Sequence, residues 1–166
     1  MKMKFRKNTE AALKFIEDVF SKHHLERVYM GGFDAKMYGA TRPLADIDVY
    51  VREEKLPMLA EEFKKYIVFG PKRYKDRNWD LQMFTFIYDG QVVDICGDES
   101  VKIFDEPDKK WIKPPTGFEK YTEAEIFGRK IKLITEPDLI KYKTFLHRRV
   151  DVSDVKEMKV VMTEKV

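Results

Sequence analysis

Cysteine is nearly absent from this chain: Cys96 is the single one among 166 residues. An internal disulfide is therefore excluded, and so is a Cys-rich metal site. No apolar run approaches the ~18 residues that a membrane-spanning helix requires. The charged stretch at residues 1–10 has no apolar segment behind it, unlike a secretory leader. These absences lead us to expect a cytosolic protein. A charge excess is missing too, with 32 Lys and Arg against 29 Asp and Glu for a formal net charge of +3. Coating a nucleic acid by bulk charge needs a strong basic excess, so bulk nucleic-acid binding is not expected. A local basic pocket for phosphates stays open. Amide side chains are scarce, limited to Asn8, Asn78, Gln82 and Gln91, a composition seen in heat-adapted proteins. There is no internal repeat and no low-complexity segment.

What is present is enough for a sizeable core. Hydrophobic residues make up 43% and aromatics 13% of the chain, which excludes a disordered protein. A chain near this length buries roughly 70% of the surface it exposes when unfolded. We expect one domain over residues 1–166, with a core at about 8–135 and C-terminal helices at about 136–162.

Hydrophobic spacing predicts a helix over 8–23, with Ala12, Leu13, Ile16, Val19 and Phe20 inward. A short strand over 27–30 runs into Gly31-Gly32, a short helix over 33–38 follows, and Gly39 is placed to end it. Residues 46–51 alternate strictly as a strand, and Pro57 suits the first turn of a helix reaching about Tyr66. Strands are expected over 67–73, 81–88 and 92–96, the last two joined through the hairpin signal Asp89-Gly90. Residues 98–116 are polar and contain three prolines, so they read as an irregular connection. A late strand over 127–134 and two helices, one over 136–148 and one opened by Asp151 or Ser153, complete the chain. This order suits an α+β fold, a mixed sheet with helices packed on it, rather than a doubly wound parallel sheet.

The informative stretch is Gly31 to Asp48. Period two puts Asp46 and Asp48 on one strand face, with Ile47, Val49 and Val51 on the other. Adjacent carboxylates repel unless a cation sits between them, and oxygen ligands at this spacing suit Mg2+ or Mn2+. A third carboxylate, Asp94, interrupts the apolar run Val92-Val93-Asp94-Ile95-Cys96. If its strand lies beside that of Asp46 and Asp48, three carboxylates converge as two-metal phosphoryl or nucleotidyl transfer requires. Each piece also has a plainer reading: Asp-x-Asp is a common strand end, and Gly-Gly is usually a turn.

Their order nevertheless resembles the nucleotidyltransferase superfamily with the DNA polymerase beta-like fold. That family places Gly-Gly or Gly-Ser after a first strand, Asp-x-Asp or Asp-x-Glu on the next, and a further acid on a later one. Arg42-x-x-x-Asp46-Ile47-Asp48 behind Gly31-Gly32 is most similar to its small bacterial and archaeal branch, with aminoglycoside and lincosamide nucleotidyltransferases and toxin–antitoxin members. A second resemblance lies in Asp138-Leu139-Ile140-Lys141-Tyr142-Lys143 followed by Arg148 and Asp151-x-x-Asp154, where Val150 replaces a common lysine.

The resemblance implies that Asp46, Asp48 and Asp94 hold Mg2+ or Mn2+, with Asp94 also the base-like group on an acceptor hydroxyl. It implies that Gly31 and Gly32 lie against nucleotide phosphates, and that Arg42 and Lys143 face them too, although Arg42 could equally pair with a neighbouring carboxylate. The implied activity moves a nucleoside monophosphate from an NTP such as ATP to a hydroxyl on a small molecule, protein or tRNA. The alternative is a non-catalytic module, such as a toxin–antitoxin component. The short chain leaves little room for an acceptor domain, so a homodimer or a partner protein is expected to complete the acceptor cleft. Weaker candidates are His23, His24 and His147 at helix ends, the aromatics Trp79, Phe84, Phe86 and Tyr88, and the basic clusters at 72–75 and 148–149.

Overall fold

A computed structural model of the chain describes residues 5–164; residues 1–4, part of the charged N-terminal stretch, lie outside the described residues. The apolar spacing at the start of the chain forms helix α1 (Lys7–Lys22), which buries Leu13, Ile16 and Phe20 completely. Strand β1 (Arg27–Met30), helix α2 (Gly31–Met37) and strand β2 (Asp46–Val51) follow. A single 3-10 turn leads into helix α3 (Leu56–Phe63). Strands β3 (Ile67–Lys75), β4 (Trp79–Tyr88) and β5 (Gln91–Gly97) come next. Strands β6 (Lys102–Asp105), β7 (Lys110–Ile112), β8 (Tyr121–Ile126) and β9 (Arg129–Ile134) precede helices α4 (Glu136–Leu146) and α5 (Arg149–Glu164).

The strands form one mixed sheet in the order β7-β6-β4-β5-β2-β1-β9-β8, with β3 paired to β4. β2 and β5 run parallel at its centre, while β1 is antiparallel to β2 and β4 antiparallel to β5. One face is apolar. Ile47, Val49, Val93, Ile95, Phe84 and Phe86 are buried there, and Phe63 of α3 stacks on Phe86 with centroids 4.4 Å apart. The opposite face of β2 and β5 carries Asp46, Asp48, Tyr50, Asp94 and Cys96 and looks across a cleft onto Tyr142 and Lys143 of α4 and Val150 of α5. The α+β expectation holds.

Two expectations fail for identifiable reasons. Residues 98–116 are not irregular, because β6 and β7 form a hairpin there that pairs with β4 through Ile103 opposite Trp79. These strands have only four and three residues, too short for period two to rise above their polar surroundings. The late strand over 127–134 is instead the second arm of a hairpin. Phe127 and Gly128 are its turn, with φ of +51° and +76°, the paired left-handed conformation of a type I′ turn. The first arm, β8, is a largely exposed edge strand, so it lacks the apolar alternation that marks a half-buried strand. Asp89-Gly90 turns as expected, with φ of +50° and +78°. Helix α4 stops at Leu146, short of 148, where His147 adopts a left-handed conformation. Asp151 accepts a hydrogen bond from the Arg148 backbone N–H at the start of α5 (3.1 Å).

Candidate active site

Strand alternation sends Ile47 and Val49 into the core, which leaves Asp46 and Asp48 on the open face. Parallel register then sets Asp94 opposite Asp48. One oxygen from each of Asp46, Asp48 and Asp94 lies within 4.8 Å of the others. The same register continues sideways, placing Met30 of β1 opposite Asp48 and Thr85 of β4 opposite Asp94. Burial, with Asp46 and Asp94 alongside, pushes the Asp48 carboxyl well above the usual range, and Lys143 opposes this. Asp46 is raised for the same reasons, burial first and Asp94 second, with Arg42 opposing. Among the described residues, none of the three carboxylates forms an ion pair with a lysine or arginine. An all-oxygen set this crowded, with no cation paired directly to it among the described residues, fits a hard divalent cation.

Gly31 opens α2 directly beside this group with φ of +70°. A Cβ there would sit 2.4 Å from Asp48 Oδ2, so no larger residue fits without displacing the carboxylate. At Gly32 a Cβ would lie 3.0 Å from Arg42 Nη2. The guanidinium of Arg42 is thus held against the glycine pair.

Its anchor comes from the far end of the chain. Arg42 Nε and Nη2 donate to Asp154 at 2.8 and 2.9 Å. Asp154 also pairs with Lys143 (2.9 Å), which reaches Asp151 (3.4 Å). Asp151 in turn accepts two bonds from the Arg148 guanidinium, at 2.7 and 3.0 Å, besides that from its backbone N–H. Signs alternate along this five-membered chain, Arg42–Asp154–Lys143–Asp151–Arg148. Asp151 and Asp154 are fully buried, and Lys143 is 1% exposed, a state charged groups reach only when paired. Although burial works in the other direction, the Arg42 hydrogen bond and the nearby Lys143 charge hold the Asp154 carboxyl below its ordinary value. Arg148 lies over the Trp79 ring (4.6 Å), and Trp79 Nε1 donates to the Tyr142 hydroxyl (2.8 Å). The network therefore fastens α4 and α5 to the loop before β2 and to β4.

Between sheet and helices lies a cleft of about 650 Å³, well inside the ~300–1,000 Å³ of small-molecule sites. Gly31, Gly32, Arg42, Asp46, Asp48, Asp94 and Lys143 all line it, so the sequence candidates gather in one cavity.

No protein-family model and no curated protein matches the chain by sequence. Its shape is informative. A protein of Thermotoga maritima provisionally classed as a nucleotidyltransferase superposes with a TM-score of 0.73 over 97% of this chain and 96% of that one, at 20% identity. The lincosamide antibiotic adenylyltransferase LnuA, bound to lincomycin, gives 0.60 over 92% and 97%, at 16% identity. The resistance factor ANT(2'')-Ia, in complex with adenylyl-2''-tobramycin, gives 0.58 over 93% and 90%, at 16% identity.

The chain has the nucleotidyltransferase fold.

Within this nucleotidyltransferase fold, Arg42 and Lys143 line the cleft but are already engaged with Asp151 and Asp154. Of the aromatic candidates, Trp79 lines the cleft while Phe84 and Phe86 are fully buried beneath the sheet. His23 pairs with Glu62 across α1 and α3 (2.6 Å). In the basic cluster at 72–75, Arg73 pairs with Asp80. Sequence reasoning missed Thr85, whose hydroxyl donates to Asp94 Oδ1 (2.6 Å). Its signal was a hydroxyl in an apolar strand, legible only once β4 is set in register with β5. Also missed was the cleft wall formed by Phe69, Tyr74, Leu81 and Met83. No described helix is long and apolar enough to cross a membrane.

Proposed function

We propose that the chain is a metal-dependent nucleotidyltransferase that moves a nucleoside monophosphate from an NTP to a hydroxyl acceptor. The observation that carries this reading is the convergence of Asp46, Asp48 and Asp94 beside the Gly31-Gly32 turn. The nucleotidyltransferase fold supports it, and the adenylyl transfer named for two of the similar proteins adds the reaction class. Asp46, Asp48 and Asp94 would hold Mg2+ or Mn2+, which when bound neutralises triphosphate charge and acidifies an acceptor hydroxyl. The side-chain-free backbone at Gly31 and Gly32 admits the phosphates closely, and Arg42 adds positive charge at that turn. Lys143 adds its field to the same region. Thr85 fixes one Asp94 oxygen, which orients the carboxylate both as a metal ligand and as the group toward which the acceptor proton moves. The acceptor oxygen bonds to the α-phosphorus, the bond from that phosphorus to the bridging oxygen breaks, and pyrophosphate leaves. Residues 1–166 would act as one unit, because the ion network joins the C-terminal helices to the sheet.

Incubation with each α-labelled NTP, Mg2+ and a cell extract is expected to label one acceptor and release pyrophosphate; no label with any NTP refutes the reading. Gly31→Ala offers a sharper check. Its Cβ would strike Asp48 and require a left-handed alanine, so turnover is expected to fall about a hundredfold, from ~3 kcal/mol of misplaced charge stabilisation. Circular dichroism of this variant should remain native. An alanine variant with full turnover would contradict the placement of the phosphates.

A further inference from the structure

Resting on the transferase reading, we propose that the β3–β4 wall of the cleft is the acceptor subsite and that it takes a neutral, partly apolar hydroxyl compound rather than a polycation. Position gives the first half of the argument. Across the sheet the order is β1, leading into Gly31-Gly32; then β2 with Asp46 and Asp48; then β5 with Asp94; then β4 and β3. Phosphoryl displacement places attacking and leaving oxygens roughly in line. With phosphates and leaving group on the glycine side, the acceptor must approach from the opposite side, past Asp94 and Thr85. That side is the β3–β4 wall.

Chemistry gives the second half. The wall is built of Phe69, Tyr74, Leu81 and Met83, with Phe69 and Tyr74 packed edge to face at 5.9 Å. Among the described residues lining the cleft, the only acids are Asp46, Asp48 and Asp94, which the reaction occupies with cations. The remaining charged residues of the lining, Arg42, Lys143 and Arg148, are basic. A polycationic acceptor would find no free carboxylate in the lining, and the three basic groups there share only Asp151 and Asp154, which leaves the network one positive charge in excess. A neutral molecule with an aromatic or aliphatic body would bury that body on the wall and present its hydroxyl to Asp94.

Two methionines report on the two sides of the carboxylates. Met30 lies on the glycine side and Met83 on the wall, and both line the cleft. With isotope-labelled methionine methyl groups, assigned through Met30→Leu and Met83→Leu, the full chain is titrated with three probes. A nonhydrolysable ATP analogue with Mg2+ should shift the Met30 signal. The neutral aryl glycoside p-nitrophenyl glucoside should shift Met83, and tobramycin should leave it in place. Phe69→Ala should weaken the glucoside about three- to tenfold, the scale of one lost aromatic contact, with the Met30 response to nucleotide intact. A Met83 signal that ignores the glucoside, or that answers tobramycin more strongly, overturns the proposal. A Met30 signal that ignores the nucleotide counts instead against the transferase reading.

Discussion

Asp48→Asn is expected to abolish transfer and, without divalent cation, to make the protein more stable than the parent. Both effects follow from the same crowding. Asp48 stands between Asp46 and Asp94 on the cleft floor, so an amide there removes a central oxygen ligand and the charge that draws the cation. We expect turnover to drop at least about a thousandfold, on the order of 4 kcal/mol at the transition state. The fold should not suffer, because asparagine keeps the shape and removes a repulsion. The sign of the pH dependence is fixed by the direction of the shift. Burial and its two acidic neighbours hold the folded Asp48 carboxyl well above its ordinary value near 3.8. Folding therefore takes up a proton between the two values. Stability from this group is full below the ordinary value and is lost as pH rises through the raised one. The difference in melting temperature between variant and parent should thus widen in favour of Asp48→Asn as pH climbs toward neutrality. Added Mg2+ should stabilise the parent and not the variant. Equal activity, or a difference in melting temperature that is flat with pH, would remove Asp48 from the centre of the site.

How far this could be read without a structure depended on the range of the signal. Asp46 and Asp48 are two residues apart, and strand periodicity alone assigns them a common face. Asp94 stood out as a charge in an apolar strand, but its place beside Asp48 needed the parallel pairing of β2 and β5, which no local pattern specifies. The glycine pair was visible as a turn; that Gly31 must be glycine follows only from the 2.4 Å approach of Asp48. The cleft wall was invisible for a similar reason. Phe69 and Tyr74 are five positions apart in β3, and a register irregularity between Phe69 and Lys72 breaks the period that would have assigned them one face. The short pairs β6–β7 and the edge strand β8 carry too little buried apolar surface to announce themselves.

The C-terminal motif gave the least direct reading, and it supports the second large prediction. The resemblance implied that Lys143 faces nucleotide phosphates; it lines the cleft and is at the same time buried between Asp151 and Asp154. Asp154→Ala is accordingly expected to destabilise the protein by about 3–5 kcal/mol, the cost of removing one partner from a buried ionic group. For a chain of this size that is a fall of roughly 10 °C in Tm. The loss should exceed that of any single exposed pair, such as Arg73–Asp80, which is worth about 0–1 kcal/mol. Function should divide in a particular way. Asp154 pairs with Arg42 and Lys143 and is not one of the three clustered carboxylates on the sheet, so Mn2+ affinity should be nearly unchanged. Arg42, released from its bidentate anchor, should no longer be held against Gly32, and KM for the NTP should rise. A double-mutant cycle with Arg42→Gln separates the two roles: coupling of about 1.5 kcal/mol or more marks Asp154 as the residue that positions Arg42. A destabilisation below about 1 kcal/mol, with KM unchanged, would mean that the buried network is ornamental and that the C-terminal helices are held by their apolar face alone.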